Sequence, residues 1–466
     1  MLAAMAGATP SGTVIDVPEL AKELGALFDG AGHELHLVGG SVRDLMLGRS
    51  SPDLDFCTDA HPPETVRVIR GWADRRYLVG ARFGTVGALK DGRRIEITTY
   101  RQEVYVEEHR KPAVTFGDDV ETDLSRRDFT INAMAVRLPS GTFVDPYGGV
   151  RDLATRTLDT PLDPALAFGD DPLRILRAAR FVAQLEVTPA PRVVDAMRSM
   201  RERLDIVSAE RIRDELDKLL AAERPADGLA LLVETGVADV FLPEVPALRL
   251  EQDPVQRHKD VLRHTYAVVE RCEPDVVLRL AALLHDIGKP ATRRITPDGV
   301  AFHHHEVVGA RMARERLHAL RYPSSVIDDV CTLIELHLRF HGYGEGWTDS
   351  AVRRYVRDAG SLLDRLNALT RADVTTRNER KADRFARLQD ELEERIAALA
   401  EQEELDKLRP PLDGRQVMDR LGLAPGPTVG EALAHLMELR MERGPIAEDD
   451  AYAELDAWAK ERGLTS

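Results

Sequence analysis

Val38-Gly39-Gly40-Ser41-Val42-Arg43-Asp44, followed across one short helix by Pro52-Asp53-Leu54-Asp55-Phe56, is the stretch on which the fold turns. His36-Leu37-Val38 reads as the end of a buried strand. Two glycines then let the backbone turn tightly and approach a ligand. Val42 to Leu47 carries apolar residues at helical spacing, and Gly48 predicts the stop. The free N–H groups and positive end of that helix, with Arg43 beside them, suit a phosphate. Asp53 and Asp55 are two apart on the next strand, so they face one side, about 6.5–7 Å apart along it. Two carboxylates on one face repel unless a cation lies between them, and hard oxygen ligands beside phosphate point to Mg²⁺. A phosphate cradle next to a two-carboxylate platform predicts nucleotidyl transfer.

Neither half is specific alone. In this order and spacing they resemble the head domain of the polymerase-beta-like nucleotidyltransferases, and more narrowly the class II CCA-adding enzymes and bacterial poly(A) polymerases. Arg126-Arg127-Asp128-Phe129-Thr130-Ile131-Asn132-Ala133 closely matches that family's R-R-D-[FL]-T-[IM]-N-A signature. The two arginines are expected at the start of a helix, holding a triphosphate. Asp145-Pro146-Tyr147-Gly148-Gly149 with Asp152-Leu153 matches its D-P-x-x-G-x-x-D-L element. Asp170-Asp171-Pro172-Leu173-Arg174 resembles its E-D-x-x-R motif, with Asp170 in place of Glu. The resemblance assigns base reading to Asp171 and Arg174, while Asp170 and Asp171 before Pro172 also make a good helix cap. It implies nucleotide contacts from Gly40, Arg43, Arg127, Asp171, Arg174, Arg177 and Arg180.

Around these motifs the chain reads as an α+β head of small mixed sheet and helices, then an all-helical remainder. Val17 to Asp29 reads as an amphipathic helix. Arg75 to Gly80, Thr85 to Lys90 and Arg94 to Tyr100 read as strands, with a turn at Asp91-Gly92. In the last strand Glu96 faces away from Ile95 and Ile97. It is either a third carboxylate near Asp53 and Asp55 or a polar residue on an open sheet face. Gln102 to Glu121, charged and broken by Pro112 and Gly117, is expected as a mobile loop.

Farther on, an apolar helix from Leu278 to Leu284 runs into His285-Asp286-Ile287-Gly288-Lys289. With His264 and Asp373 this resembles an HD-type metal phosphohydrolase domain. Two imidazoles and two carboxylates suit a divalent transition metal. His303-His304-His305 and His337 are candidates for a second ion. Arg384 to Leu408 reads as a long charged helix, and the helices after Pro410-Pro411 resemble the family's tRNA-contacting region. The expected divisions are 15–155 for the head, 156–250 for a helical neck, 251–376 for the HD domain and 377–466 for the C-terminal region.

Composition is ordinary for a soluble globular protein, and the length suits about three domains. The chain has 466 residues, 43% hydrophobic and 30% charged. No apolar run reaches the roughly 18 residues that would span a bilayer. Met1 to Pro10 reads as a poor signal peptide and a disordered lead-in. Three scattered cysteines suggest a reducing cytoplasm without disulfides. The net charge of −16 argues against nucleic acid, but arginines crowd 174–213 and 353–387, where some can line an RNA path. The resemblance therefore implies a tRNA nucleotidyltransferase adding C and A to tRNA 3′ ends from CTP and ATP, with Asp53 and Asp55 holding two Mg²⁺ ions. A poly(A) polymerase, an HD phosphohydrolase with a vestigial head, and a non-catalytic RNA-binding protein are the other readings.

Overall fold

The computed structural model describes residues 13–50, 53–104, 113–117, 119–250, 260–296, 299–375, 378–403 and 409–464. The expected lead-in, Met1 to Pro10, lies outside the described residues. The chain divides into two compact units, Met1–Pro243 and Glu244–Ser466.

In the first unit, strands β1 (Leu35–Val38), β2 (Asp53–Thr58), β3 (Arg75–Tyr77), β4 (Thr85–Lys90), β5 (Arg93–Thr99), β8 (Ala135–Leu138) and β9 (Thr142–Val144) form one sheet in the order β3-β4-β5-β2-β1-β8-β9. Only β2 and β5 run parallel, with Asp55 opposite Glu96; the other pairs are antiparallel. One face is apolar and covered. α1 (Glu19–Gly30) lays Ala21, Leu24 and Phe28 against β1 and β8, and Leu54, Phe56, Ile95, Ile97, Val86 and Ala88 are buried. The alternate residues of β2, β4 and β5 stand on the other face, which stays open around Asp53 and Glu96.

Two expectations are corrected here. Gln102 to Glu121 is not one irregular loop: β6 (Arg101–Val104) pairs antiparallel with β7 (Ala113–Phe116), and residues 105–112 and 118 lie outside the described segments. The stretch holds two short strands that, among the described residues, pair with each other. A helix then follows at Val120–Ser125, capped by Asp119, which accepts from the Thr122 N–H at 2.8 Å. Arg126 and Arg127 consequently stand at the end of that helix, not at the start of one.

Short helices α2 (Gly40–Met46), α3 (Pro62–Val68), α4 (Val120–Ser125) and α5 (Gly149–Ala154) complete the head. The Asp145-to-Leu153 element ties α5 down. Asp145 accepts from the Gly149 and Val150 N–H groups at 2.7 and 3.0 Å, and Asp152 accepts from the Thr130 hydroxyl at 2.7 Å. Helices α6 (Pro164–Asp170), α7 (Leu173–Leu185), α8 (Pro191–Met200), α9 (Ala209–Leu220), α10 (Pro225–Glu234) and α11 (Ala238–Phe241) follow. α7 is their hub, packing against both α9 and α10 through Ile175, Ala178, Ala179 and Val182.

The second unit is nearly all helical: α12 (Val261–Arg271), α13 (Val276–Leu284), α14 (Lys289–Thr292), α15 (His305–Ala319), α16 (Ser324–Leu336), α17 (Asp349–Ala359), α18 (Leu363–Asp373) and the long α19 (Glu379–Glu403). A final trio, α20 (Gly414–Leu421), α21 (Pro427–Arg443) and α22 (Glu448–Glu461), builds its own core on Leu412, Val417, Leu436, Leu455 and Trp458. Cys57, Cys272 and Cys331 are all buried and unbridged. Burial pushes each thiol pKa up, Cys272 to about 12. No helix among the described residues is long and apolar enough to cross a membrane.

Candidate active site and metal centre

The first site forms where β1, the glycine turn and β2 meet. Gly39 has φ +69°, and a Cβ there would lie 2.8 Å from Arg127 Nη1 and 3.9 Å from Asp55 Oδ2. Only a glycine lets the turn, the arginine and the carboxylate share this space. Ser41 pins the two elements together: its hydroxyl donates to the Asp53 carbonyl at 3.2 Å and accepts from the Asp55 N–H at 3.1 Å.

Asp53, Asp55 and Glu96 gather on the open sheet face. The register places Glu96 beside Asp55 on the neighbouring strand, so Glu96 stands with the carboxylates, the first of its two readings. Burial raises the Asp55 pKa first; Glu96 and Asp53 raise it further, and Arg127 opposes them. A cluster that disfavours its own ionisation is what a hard cation relieves.

Arg127 is held from behind by Asp123, which is fully buried and pairs with Arg126 at 2.6 Å and Arg127 at 3.1 Å. Burial alone would raise the Asp123 pKa, but the two arginines outweigh it and bring it below the ordinary value. Arg43 donates from Nη1 to Asn132 Oδ1 at 2.8 Å and pairs with Asp44. Asn132 donates to Asp128 Oδ1 at 3.0 Å, and Asp128 pairs with Arg177 at 2.5 Å. This relay joins α2, the R-R-D segment and α7. Phe181 stands at its end, with the Arg43, Arg177 and Arg180 guanidinium carbons 5.5, 5.9 and 4.1 Å from its ring centre.

The expected base readers are otherwise engaged. Asp171 precedes α7 and accepts from the Leu173 N–H at 3.2 Å, the cap considered above, and its other oxygen pairs with Arg211 at 2.8 Å. Arg174 donates to the carbonyls of Ala167 and Arg126 at 3.2 and 2.5 Å. Arg180 turns to Glu215 at 2.6 Å. Arg174 also lines a cavity of about 590 Å³ with Arg101, Ser125, Arg126, Ala167 and Asp170. The sequence shows Asn132 inside the R-R-D signature and Arg211 within the 174–213 arginines but gives neither of them, nor Asp123, a role of its own; that role comes from partners far along the chain or one helical turn away.

The second site lies in the other unit. His264 Nε2 is 2.9 Å from Asp373 Oδ1, and His285 Nε2 is 3.2 Å from Asp286 Oδ2 and 3.3 Å from His264 Nε2. His305 Nε2 lies 3.3 Å from the second Asp286 oxygen, and the His337 ring is 5.2 Å from that of His285. Two groups, His264–His285–Asp286 and Asp286–His305–His337, have ligand atoms close enough to hold an ion. Of the triplet 303–305, only His305 reaches inward; His303 and His304 are exposed. His285, His305 and His337 each donate Nδ1–H to a carbonyl three residues back, at 2.8, 2.9 and 2.6 Å. That fixes the rings and turns every Nε2 to the centre, the orientation a metal ligand needs. Asp286 Oδ1, His305 Nε2 and His337 Nε2 are buried without a well-formed hydrogen bond. Lacking a cation, burial lowers the His285 pKa but Asp286 and Asp373 outweigh it and bring it to about 10, while burial and His285 push His337 down to about 3. The donor set fits a divalent metal.

Known proteins share this layout. The chain matches the Poly A polymerase head domain over residues 35–159, a probable RNA and SrmB-binding site of polymerase A over 186–248, and the HD domain over 261–404. It is 35% identical over 445 residues to the A-adding tRNA nucleotidyltransferase of Deinococcus radiodurans, covering 91% of this chain and 95% of that one. The chain belongs to the tRNA nucleotidyltransferase family. Another tRNA nucleotidyltransferase relative, the CCA-adding enzyme of Anoxybacillus flavithermus, is 40% identical over 221 residues, 47% of this chain and 54% of the relative. Among solved structures of the family, the Bacillus stearothermophilus CCA-adding enzyme in complex with CTP superposes with a TM-score of 0.70, covering 96% of this chain and 99% of that one at 24% identity. The Thermotoga maritima CCA-adding enzyme complexed with tRNA gives 0.59 at 20% identity and 94% coverage of both. At these identities the superpositions establish the fold: a polymerase-beta-like head with a helical remainder and an HD domain.

Proposed function

We propose that this chain adds C and A nucleotides to the 3′ end of tRNA from CTP and ATP, releasing pyrophosphate and using no template. The observation that carries the reading is the Asp53–Asp55–Glu96 cluster facing the glycine turn and Arg127, in a chain aligned nearly end to end with a tRNA nucleotidyltransferase. Asp53 and Asp55, with Glu96 beside them, would hold Mg²⁺, which lowers the pKa of the attacking hydroxyl and neutralises charge on the leaving pyrophosphate. The chain's own residues do the rest. The glycine turn and Arg127 position the triphosphate, and Asp123 keeps Arg127 ionised and aimed. The relay from Arg43 through Asn132 and Asp128 to Arg177 keeps the R-R-D segment in register with α7. Asp171 and Arg174 choose the base once Asp171 exchanges Arg211, and Arg174 the Ala167 and Arg126 carbonyls, for the nucleotide; they then offer acceptor beside donor, which suits the exposed edges of C and A and opposes those of U and G.

The HD cluster would hold a transition metal in a centre separate from the transferase site, and a hydrolytic activity there is part of the proposal. The divisions 15–155, 156–250, 251–376 and 377–466 and a cytoplasmic location belong to it as well.

A second reading, addition of the terminal A alone, is favoured by one finding. The A-adding relative aligns over 95% of its length, whereas the CCA-adding relative aligns over about half of its own. Three tRNA substrates decide: one lacking CCA, one lacking CA, one lacking A. Extension of all three supports CCA addition. Extension of the last alone supports the second reading, a run of A on each indicates a poly(A) polymerase, and no extension defeats the transferase proposal.

A further inference from the structure

We infer that Tyr77 is a stacking platform for the last nucleotide of the tRNA primer; the inference rests on the transferase reading above. Residues directly opposite each other in a ladder share a face. Tyr77 pairs with Gly87, Gly87 with Glu96, and Glu96 with Asp55. These four form one row across β3, β4, β5 and β2, on the open face with the carboxylates. At about 4.8 Å per strand, Tyr77 stands roughly 10 Å from Glu96 and 14 Å from Asp55. The gap between is a slot, because Gly87 has no side chain. A Cβ at Gly87 would meet Tyr77 Cβ at 3.3 Å, its carbonyl oxygen at 3.5 Å and Cδ2 at 3.6 Å, so one edge of the ring borders the slot.

Tyr77 is 48% exposed, an unusual cost for an aromatic ring on an edge strand. Arginines stand on the same face and in the turn beyond. The next row pairs Arg75 with Leu89, Leu89 with Arg94 and Arg94 with Asp53. In the turn that follows, Arg82 stacks 4.5 Å from the centre of the half-exposed Phe83 ring. An exposed aromatic face among arginines, beside acidic groups that bind metal, suits a single-stranded nucleic acid end.

Position in the sheet says which nucleotide. β2 carries the carboxylates; β1 and the glycine turn flank it on one side, β5, β4 and β3 on the other. Arg127 and the turn take the triphosphate on the first side. Phosphoryl transfer needs the attacking and leaving oxygens roughly in line. The attacking 3′-hydroxyl must therefore approach from the second side, where Tyr77 stands. Its ring holds the terminal base while the ribose spans the Gly87 slot to the carboxylates.

The test is steady-state addition to tRNA lacking its terminal A, comparing wild type with Tyr77→Phe and Tyr77→Leu. Phenylalanine keeps the face and loses the hydroxyl; leucine keeps bulk on the edge strand and loses the face. Tyr77→Phe is expected within about twofold of wild type. Tyr77→Leu is expected to lower kcat/KM for tRNA roughly 5- to 150-fold, the range one stacked base commands, with KM for ATP unchanged. Equal tRNA kinetics in the leucine variant and wild type, a phenylalanine variant as poor as leucine, or a rise in the ATP KM instead would each overturn the platform while the transferase reading stands. A wild type that extends no tRNA removes both.

Discussion

Asp55 shows how a single residue is set against stability for chemistry. Its pKa in the folded protein is raised, so the folded state holds that proton to higher pH than the unfolded chain does. Stability therefore declines as pH rises from the ordinary carboxylate value through the raised one. Asp55→Asn removes this decline. In chelator at pH 7 we expect its Tm to exceed wild type by about 1–4 °C, with addition reduced at least ~10³-fold. Mg²⁺ should then stabilise wild type and not the variant. A lower Tm in chelator would mean the three carboxylates do not oppose one another. Asp171 poses a different question, since it is cap, ion-pair partner and proposed base reader at once. Asp171→Ala should lower the ratio of kcat/KM for CTP over UTP by at least ~10-fold, whereas Arg211→Ala should leave the ratio unchanged and only alter rate. If both variants shift the ratio alike, the ion pair is the selector rather than the carboxylate. What the sequence revealed at this scale were residues whose local spacing carries the chemistry: Asp53 with Asp55, Arg126-Arg127-Asp128, His285-Asp286. Asp123 and Arg211 escaped because their roles are conferred by partners elsewhere in the chain or one helical turn away.

At the scale of elements, the strand order does what no local motif can. Glu96 was ambiguous along its own strand and became a neighbour of Asp55 only once β5 lay parallel to β2. The hairpin of β6 and β7 is hard to read because each strand is only four residues long and a charged stretch of sequence separates Arg101-Gln102-Glu103-Val104 from Ala113-Val114-Thr115-Phe116. The arginine pair was placed at the wrong end of a helix because Asp119, its cap, lies seven residues upstream of Arg126. In the second unit, Gly288 governs how closely the turn after α13 meets α15. A Cβ at Gly288 would fall 2.2 Å from the His305 carbonyl and 2.7 Å from the Gly309 nitrogen, contacts that only backbone movement can relieve. Gly288→Ala should destabilise the second unit by about 1–3 kcal/mol and swing His305 away from Asp286. Denaturant unfolding measures the first and bound metal per chain the second. Unchanged metal content in a destabilised variant would show that α15 is not what aims His305.

For the whole molecule, the hard-ligand site and the nitrogen-rich site belong to different compact units. Asp286 contributes to both ligand groups of the HD centre and to nothing in the head. Asp286→Ala should therefore strip transition metal from the purified protein and abolish any phosphohydrolase activity, with nucleotide addition within about twofold of wild type. Loss of both in a folded variant would contradict two separate centres. The buried cysteines carry a consequence of another kind. A thiol reagent attacks thiolate it can reach, and here all three sulfurs are sealed and hard to ionise. In the native enzyme, alkylation should proceed no faster than the surrounding structure opens. Cys57 then clocks the breathing of the head, and Cys272 and Cys331 that of the HD helices. A timed alkylation pulse read by mass spectrometry records, in one unmodified chain, which half lets go first.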